Sequence, residues 1–163
     1  MKKVFVTLFL LVYTLSWAQE TTTFILVRHA EKAIDGTSDP ELTEEGAARA
    51  NNILSLFQQT EITAIYSTNY TRTKMTVAPL AEAKKIEVAI YNPKKLKDFS
   101  LKLLKDNSGG TVLISGHSNT TPALANLLLG EEKFRQFKDS DYGNLLIITF
   151  ASNSKAKLLH LRF

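Results

Sequence analysis

Two arginines and two histidines stand out in this sequence for where they fall. Arg28 and His29 close the apolar run of "TFILVRHAEK", Arg72 lies in "YSTNYTRTK", and His117 lies in "SGHSNTT". An arginine fork matches the oxygens of a phosphoryl group and stays cationic at any physiological pH. A histidine beside it can attack phosphorus as a nucleophile, or steady developing charge as imidazolium. Ser118 and Asn119, directly after His117, are candidates to bind the phosphate or the substrate. A metal centre fits this set poorly: the chain has no cysteine, only two histidines converge, and adjacent arginines repel a divalent cation. No G-x-S-x-G elbow supports a serine triad. Taken singly, each residue has an ordinary use, as an ion-pair partner or a capping group. Their joint occurrence at successive strand ends is what points to a site.

The elements that must position them alternate in type. Residues 23–27 predict a buried strand. "DPELTEEGAARANNILSLFQQ" predicts a helix with Thr43 as N-cap, Glu44 and Glu45 at its positive end, and Ala47, Ala50, Leu54 and Phe57 on one face. "EITAIYST" predicts a second strand, ending near Tyr66. A helix follows from about Tyr70, with Pro79 starting a new turn or kinking it. "IEVAIYN" predicts a weaker third strand. "PKKLKDFSLKLLKDN" predicts an amphipathic helix with Leu96, Phe99, Leu103 and Leu104 inward. After "NSGG" come the strand "TVLISG" and a helix ended by Gly130. "NLLIITF" and "AKLLHLRF", joined by "ASNS", predict an antiparallel hairpin. The expected fold is α/β: a three-layer α/β/α sandwich with a mostly parallel central sheet and a C-terminal antiparallel hairpin. Such sheets bind ligands beyond the carboxyl ends of their strands, where Arg28, His29, Arg72 and His117 are expected. The remaining histidine, His160, falls in the hairpin and is expected to be structural.

The first 18 residues read as an export signal. Lys2 and Lys3 precede an apolar run from Val4 to Leu15, and Ser16-Trp17-Ala18 matches a cleavage site after Ala18. A retained N-terminal anchor is the competing reading. Residues 19–163 then form one catalytic domain, periplasmic or secreted, with no stable membrane association after cleavage. The formal net charge of the 163-residue chain is +4, and its lysines are scattered, with a small concentration at Lys94, Lys95 and Lys97. A nucleic-acid binder calls for a denser basic face with interleaved aromatics, so none is expected as a partner.

Four blocks in order, "LVRHAEK", "LTEEGAARA", "IYSTNYTRTKMTVAPLA" and "LISGHSNT", resemble the histidine phosphatase superfamily, the phosphoglycerate-mutase-like fold. The similarity is to its short members, the small phosphohistidine phosphatases. The resemblance implies a metal-independent, cofactor-free phosphomonoesterase. His29 would form a phosphohistidine intermediate, Arg28 and Arg72 would hold the phosphoryl oxygens, and His117 would complete the pocket. The family's usual acidic segment after the Arg72 helix is missing. Glu31 is the possible general acid, or equally a pocket-rim or arginine-pairing residue; Asp35, Asp98 and Asp141 are weaker candidates, and Glu82 and Glu87 read as surface. A small phosphate ester is the expected substrate. The alternatives are a mutase-type phosphotransferase and a phospho-ligand-binding module with weak catalysis.

Overall fold

The computed structural model describes residues 21–151 and 154–163. The expected export signal, residues 1–18, lies outside them. Six strands and four helices follow one another as β1 (Thr21–Arg28), α1 (Glu44–Phe57), β2 (Ala64–Thr68), α2 (Thr71–Lys84), β3 (Val88–Tyr91), α3 (Leu96–Asp106), β4 (Thr111–Gly116), α4 (Thr120–Leu129), β5 (Asn144–Ala151) and β6 (Lys157–Arg162). They form a single sheet of order β3-β2-β4-β1-β5-β6. Its first four strands run parallel, while β5 lies antiparallel to β1 and β6 antiparallel to β5.

The inner strands are apolar on both faces because both faces are covered. Phe24 and Leu26 of β1 join Ile114 of β4 in a core closed by Phe99, Leu103, Leu124 and Leu128 of α3 and α4. Ile25, Val27, Ile65 and Leu113 face the other way, against Ile53, Phe57, Val77 and Leu80 of α1 and α2. This is the expected three-layer sandwich. Phe24, Leu26, Leu103 and Leu113 are fully buried, so cutting any one of these leucines to alanine costs about 2–5 kcal/mol.

Three local expectations differ from the outcome. Helix α1 starts at Glu44, with Thr43 as its cap accepting a hydrogen bond from Gly46 N–H. Its buried stripe is Gly46, Ala50, Ile53 and Phe57: Ala50 and Phe57 fall as expected, Leu54 is half-buried against the same cluster, and Ala47 is exposed. Gly46 sets that rotation: a Cβ there would stand 2.2 Å from the Glu31 carbonyl oxygen, so the helix packs inward on a residue with no apolar side chain to advertise it. On α3, Phe99, Ser100 and Leu103 are buried while Leu104 is exposed. Helix α2 runs unbroken through Pro79, carried by the packing of Val77, Leu80 and Ala81 beneath it.

Candidate active site

Helix α1, after β1, lies on one face of the sheet, and α4, after β4, lies on the other. The neighbouring strands β1 and β4 therefore form the switch point at which open α/β sheets leave a crevice. Their carboxyl ends are level, with Arg28 opposite Gly116. The ladder goes one residue further, since His29 N–H donates to Gly116 O at 2.9 Å. His29 is thus held as an extension of the central strand, and its position inherits the stiffness of the sheet. Gly116 is needed where it stands: a Cβ would meet Thr121 Oγ1 at 2.8 Å and the Tyr91 hydroxyl at 2.9 Å.

A cavity of about 730 Å³ opens there, lined among others by Arg28, His29, Tyr70, Arg72, His117 and Tyr142. Ser118 and Asn119 line it too, at the start of α4, where unpaired backbone N–H groups and the helix dipole favour an anion. The structure brings all six of these sequence-derived residues, Arg28, His29, Arg72, His117, Ser118 and Asn119, to one place. The rings of His29 and His117 stand edge to face, 5.5 Å between centroids.

The two arginines are held from behind. Arg28 is 3% exposed and shares the hydrogens of Nη1 among the carbonyl oxygens of Lys138 (2.9 Å), Asp139 (2.9 Å) and Asp141 (3.1 Å). Its guanidinium stacks 4.1 Å above the ring of Tyr142. Arg72 donates from Nη1 to Asp39 at 3.3 Å and lies 4.5 Å over the ring of Tyr70. In both, Nε is buried with no hydrogen-bond partner among the described residues. Two buried orphan N–H groups on neighbouring cations are costly to leave unpaired and suit an oxyanion.

Both cavity histidines, His29 and His117, are held toward the neutral form. Burial pushes the His29 pKa down to about 3, against a hydrogen bond to Ala30 that raises it, with Arg28, Arg72 and His117 pushing the same way as burial. Burial and the same two arginines bring His117 down to about 4, opposed by Asp39. His29 Nδ1 lies 2.8 Å from Ala30 O. A carbonyl oxygen only accepts, so the ring proton sits on Nδ1 and the lone pair on Nε2. The Ala30 peptide is itself fixed, its N–H donating to Thr76 Oγ1 at 2.9 Å while Thr76 donates to Arg72 O at 2.7 Å.

Glu31 is not in the cavity. Its carboxylate takes three contacts from Arg49, Nε to both oxygens at 2.9 Å and Nη2 to Oε1 at 2.6 Å. Of its two sequence-level uses, the geometry selects the arginine partner. Asp35 binds Thr37 on the surface, Asp98 is exposed on α3, and Asp141 is paired with Arg162. Glu82 and Glu87 are exposed. The carboxylate that does line the cavity, Asp139, is almost fully exposed and stands 4.0 Å from Arg28 Nη2. His160 sits on β6, its Nε2 2.8 Å from Asn144 Oδ1. Sequence reasoning passed over Tyr70, Thr68, Tyr142 and the carbonyls of Lys138, Asp139 and Asp141. Tyr70 and Thr68 flank Arg72 in the quoted block, whereas the segment 138–142 carries no signal of its own.

Fold and site together define an α/β domain with a cavity lined by arginines and histidines at the carboxyl end of its sheet. The chain is similar to proteins of the histidine phosphatase superfamily. The model of branch 1 of that superfamily matches residues 24–98, a stretch that holds Arg28, His29 and Arg72. Phosphoserine phosphatase 1 of Hydrogenobacter thermophilus is 37% identical over 70 residues, which are 39% of this chain and 33% of that protein. The match thus spans about a third of that relative's length. Among solved structures, the phosphoserine phosphatase of Entamoeba histolytica in complex with 3-phosphoglyceric acid shares the fold with a TM-score of 0.67 at 20% identity, over 87% of this chain and 97% of the other. The protein histidine phosphatase SixA complexed with tungstate shares it with a TM-score of 0.66 at 16% identity, over 86% and 96%.

Proposed function

We propose that this protein is a phosphoric monoester hydrolase that moves the phosphoryl group of a small ester first to His29 and then to water. One observation carries the reading: His29 gives its Nδ1 proton to Ala30 O, which leaves Nε2 as an unprotonated nitrogen beside two arginines with uncommitted Nε–H groups. In the first step the Nε2 lone pair forms the N–P bond as the ester P–O bond breaks, and the leaving oxygen departs as an alkoxide or phenolate that takes its proton from solvent water. In the second, water adds to phosphorus, the N–P bond breaks, and inorganic phosphate departs with neutral His29 restored. Arg28, Arg72 and the start of α4 hold the equatorial oxygens throughout, so catalysis is chiefly positioning and fixed charge.

With Glu31 tied to Arg49, no buried carboxylic acid lines the cavity among the described residues. That favours esters whose leaving group needs little protonation, such as aryl phosphates. Phosphorylated hydroxy acids belong in the same screen, because phosphoserine phosphatases are among the relatives. The test is hydrolysis of a panel of phosphate esters by the purified chain, with and without chelator, alongside His29→Ala. Turnover that survives chelator and vanishes in the variant is the expected result. Activity lost to chelator contradicts metal independence, and vanadate binding without any hydrolysis favours the ligand-binding reading instead.

Export is part of the proposal. It rests on the sequence of residues 1–18, and N-terminal sequencing of protein recovered outside the cytoplasm, expected to begin at Gln19, tests it.

A further inference from the structure

His117 is bound from behind by a chain of two hydroxyl groups. Its Nε2 lies 2.9 Å from Thr68 Oγ1, which lies 2.9 Å from Thr73 Oγ1. Each hydroxyl has one hydrogen to give. That of Thr73 points at the carbonyl oxygens of Tyr70, at 2.8 Å, and Thr68, at 3.0 Å, which can only accept. Tyr70 O, at the shorter distance, accepts one other hydrogen bond, from Lys74 N–H, and has a lone pair left for Thr73; with its hydrogen given there, Thr73 Oγ1 accepts from Thr68, and Thr68, its hydrogen spent, accepts from the imidazole. Both threonines are fully buried, which shields this arrangement from exchange with solvent. Proton counting therefore puts the hydrogen of neutral His117 on Nε2 and the lone pair on Nδ1, the ring nitrogen with no protein partner among the described residues.

We propose that Thr68 is a positioning residue that fixes the His117 proton on Nε2, so that His117 engages an oxyanion only by taking up a second proton at Nδ1. This rests on the cavity being an oxyanion site, as argued above. A neutral Nδ1 presents a lone pair, and phosphoryl oxygens present lone pairs too; contact requires a hydrogen between them. The groups that face His117 are Arg28, His29, Asp39, Tyr70 and Arg72. In the unliganded site the two arginines keep the ring neutral, with Asp39 opposing them. An anion held between those arginines cancels their field and supplies the acceptor, so anion and proton enter together. His29 cannot substitute, because its Nδ1 proton is already committed to Ala30 O and a proton on Nε2 would remove its nucleophilicity.

The experiment uses the full chain and no turnover. Long-range ¹⁵N–¹H correlation spectra at neutral pH report the tautomer of each histidine, with His117 assigned by the loss of its signals in His117→Asn. The Nε2–H pattern is expected in the native protein and in Thr68→Ser, and a shift toward Nδ1–H in Thr68→Val. Sulfate, whose charge is constant in this range, supplies the second measurement. Its dissociation constant is expected to weaken roughly tenfold per pH unit between about pH 5 and 6.5, as one-proton uptake demands. The slope should flatten in His117→Asn and in Thr68→Val and persist in Thr68→Ser. An Nδ1–H tautomer in the native protein overturns the proposal, as does a slope that survives in His117→Asn. Neither result touches the phosphatase reading, which would fall only with the ester panel.

Discussion

The Glu31 carboxylate sits in the fork of Arg49, with both oxygens 2.9 Å from Nε and one 2.6 Å from Nη2. The pair joins the turn after β1 to helix α1, just behind the cavity wall. Burial alone would raise the Glu31 pKa; the hydrogen bonds and charge of Arg49 reverse that and hold it below the usual carboxylate range. Glu31→Gln is expected to lower stability by about 1–3 kcal/mol, the range for hydrogen bonds to charged groups. Because its pKa is depressed, this contribution is present at neutral pH and is lost as pH falls through the carboxylate range. The kcat/KM profile of the variant against pH should keep its shape. Urea unfolding and a pH–rate series check the two halves; a lost acid limb would return Glu31 to the chemistry.

Removing the His29 imidazole leaves the arginines and the anion cavity in place. His29→Ala should retain phosphate or vanadate binding while turnover of an aryl phosphate falls on the order of 10⁴-fold or more, as when a nucleophile is deleted elsewhere. Rapid-quench detection of acid-labile phosphorylated protein, present in the native chain and absent in the variant, checks the intermediate.

On the proposed mechanism Arg72 would hold charge that grows in the transition state, and its Nε–H is already desolvated. Arg72→Ala should cost about 3 kcal/mol of transition-state stabilisation, a 10²–10³-fold loss in kcat/KM, by analogy with other preorganised donors. Steady-state kinetics on an aryl phosphate checks it, and a loss confined to KM would mean that Arg72 binds substrate and transition state alike.

Both pocket histidines shape the stability of the chain against pH. His29 is held down to about 3 and His117 to about 4, from an ordinary value of 6.5, chiefly by burial. The unfolded chain therefore binds protons that the folded chain refuses, so stability rises with pH between the folded and unfolded values and levels off above about 6.5. Thermal unfolding should show Tm falling on acidification from neutral pH toward about pH 5, where most carboxylates are still ionised. Replacing both histidines by asparagine should remove most of that slope.

Gly116 lets β4 end against three hydroxyl groups. A Cβ would stand 2.8 Å from Thr121 Oγ1, 2.9 Å from the Tyr91 hydroxyl and 3.0 Å from Thr120 Oγ1. Gly116→Ala should cost about 1–3 kcal/mol through overpacking, and it should also slow turnover, because His29 hangs on the Gly116 carbonyl. Chemical denaturation beside kinetics at saturating substrate checks both.

The sequence by itself determined the alternation of strands and helices, hence the layered sandwich, and which strand ends carry cations and histidines. These are local signals: apolar runs, caps and breakers act over a few residues, and the rule that ligands meet the carboxyl ends of a parallel sheet does the rest. Arg28, His29, Arg72 and His117 were legible for that reason. What only the tertiary structure decided is what each polar group touches. Glu31 turns to Arg49 across 18 residues, Arg28 is braced by carbonyls 110 to 113 residues away, and Thr68 reaches the ring of His117 across 49. Even the buried stripe of α1 was set from outside, by how closely Gly46 approaches the Glu31 backbone. A hydrogen bond works only within about 3 Å and a narrow angle. Sequence spacing does not encode such distances between remote segments, and packing fixes them.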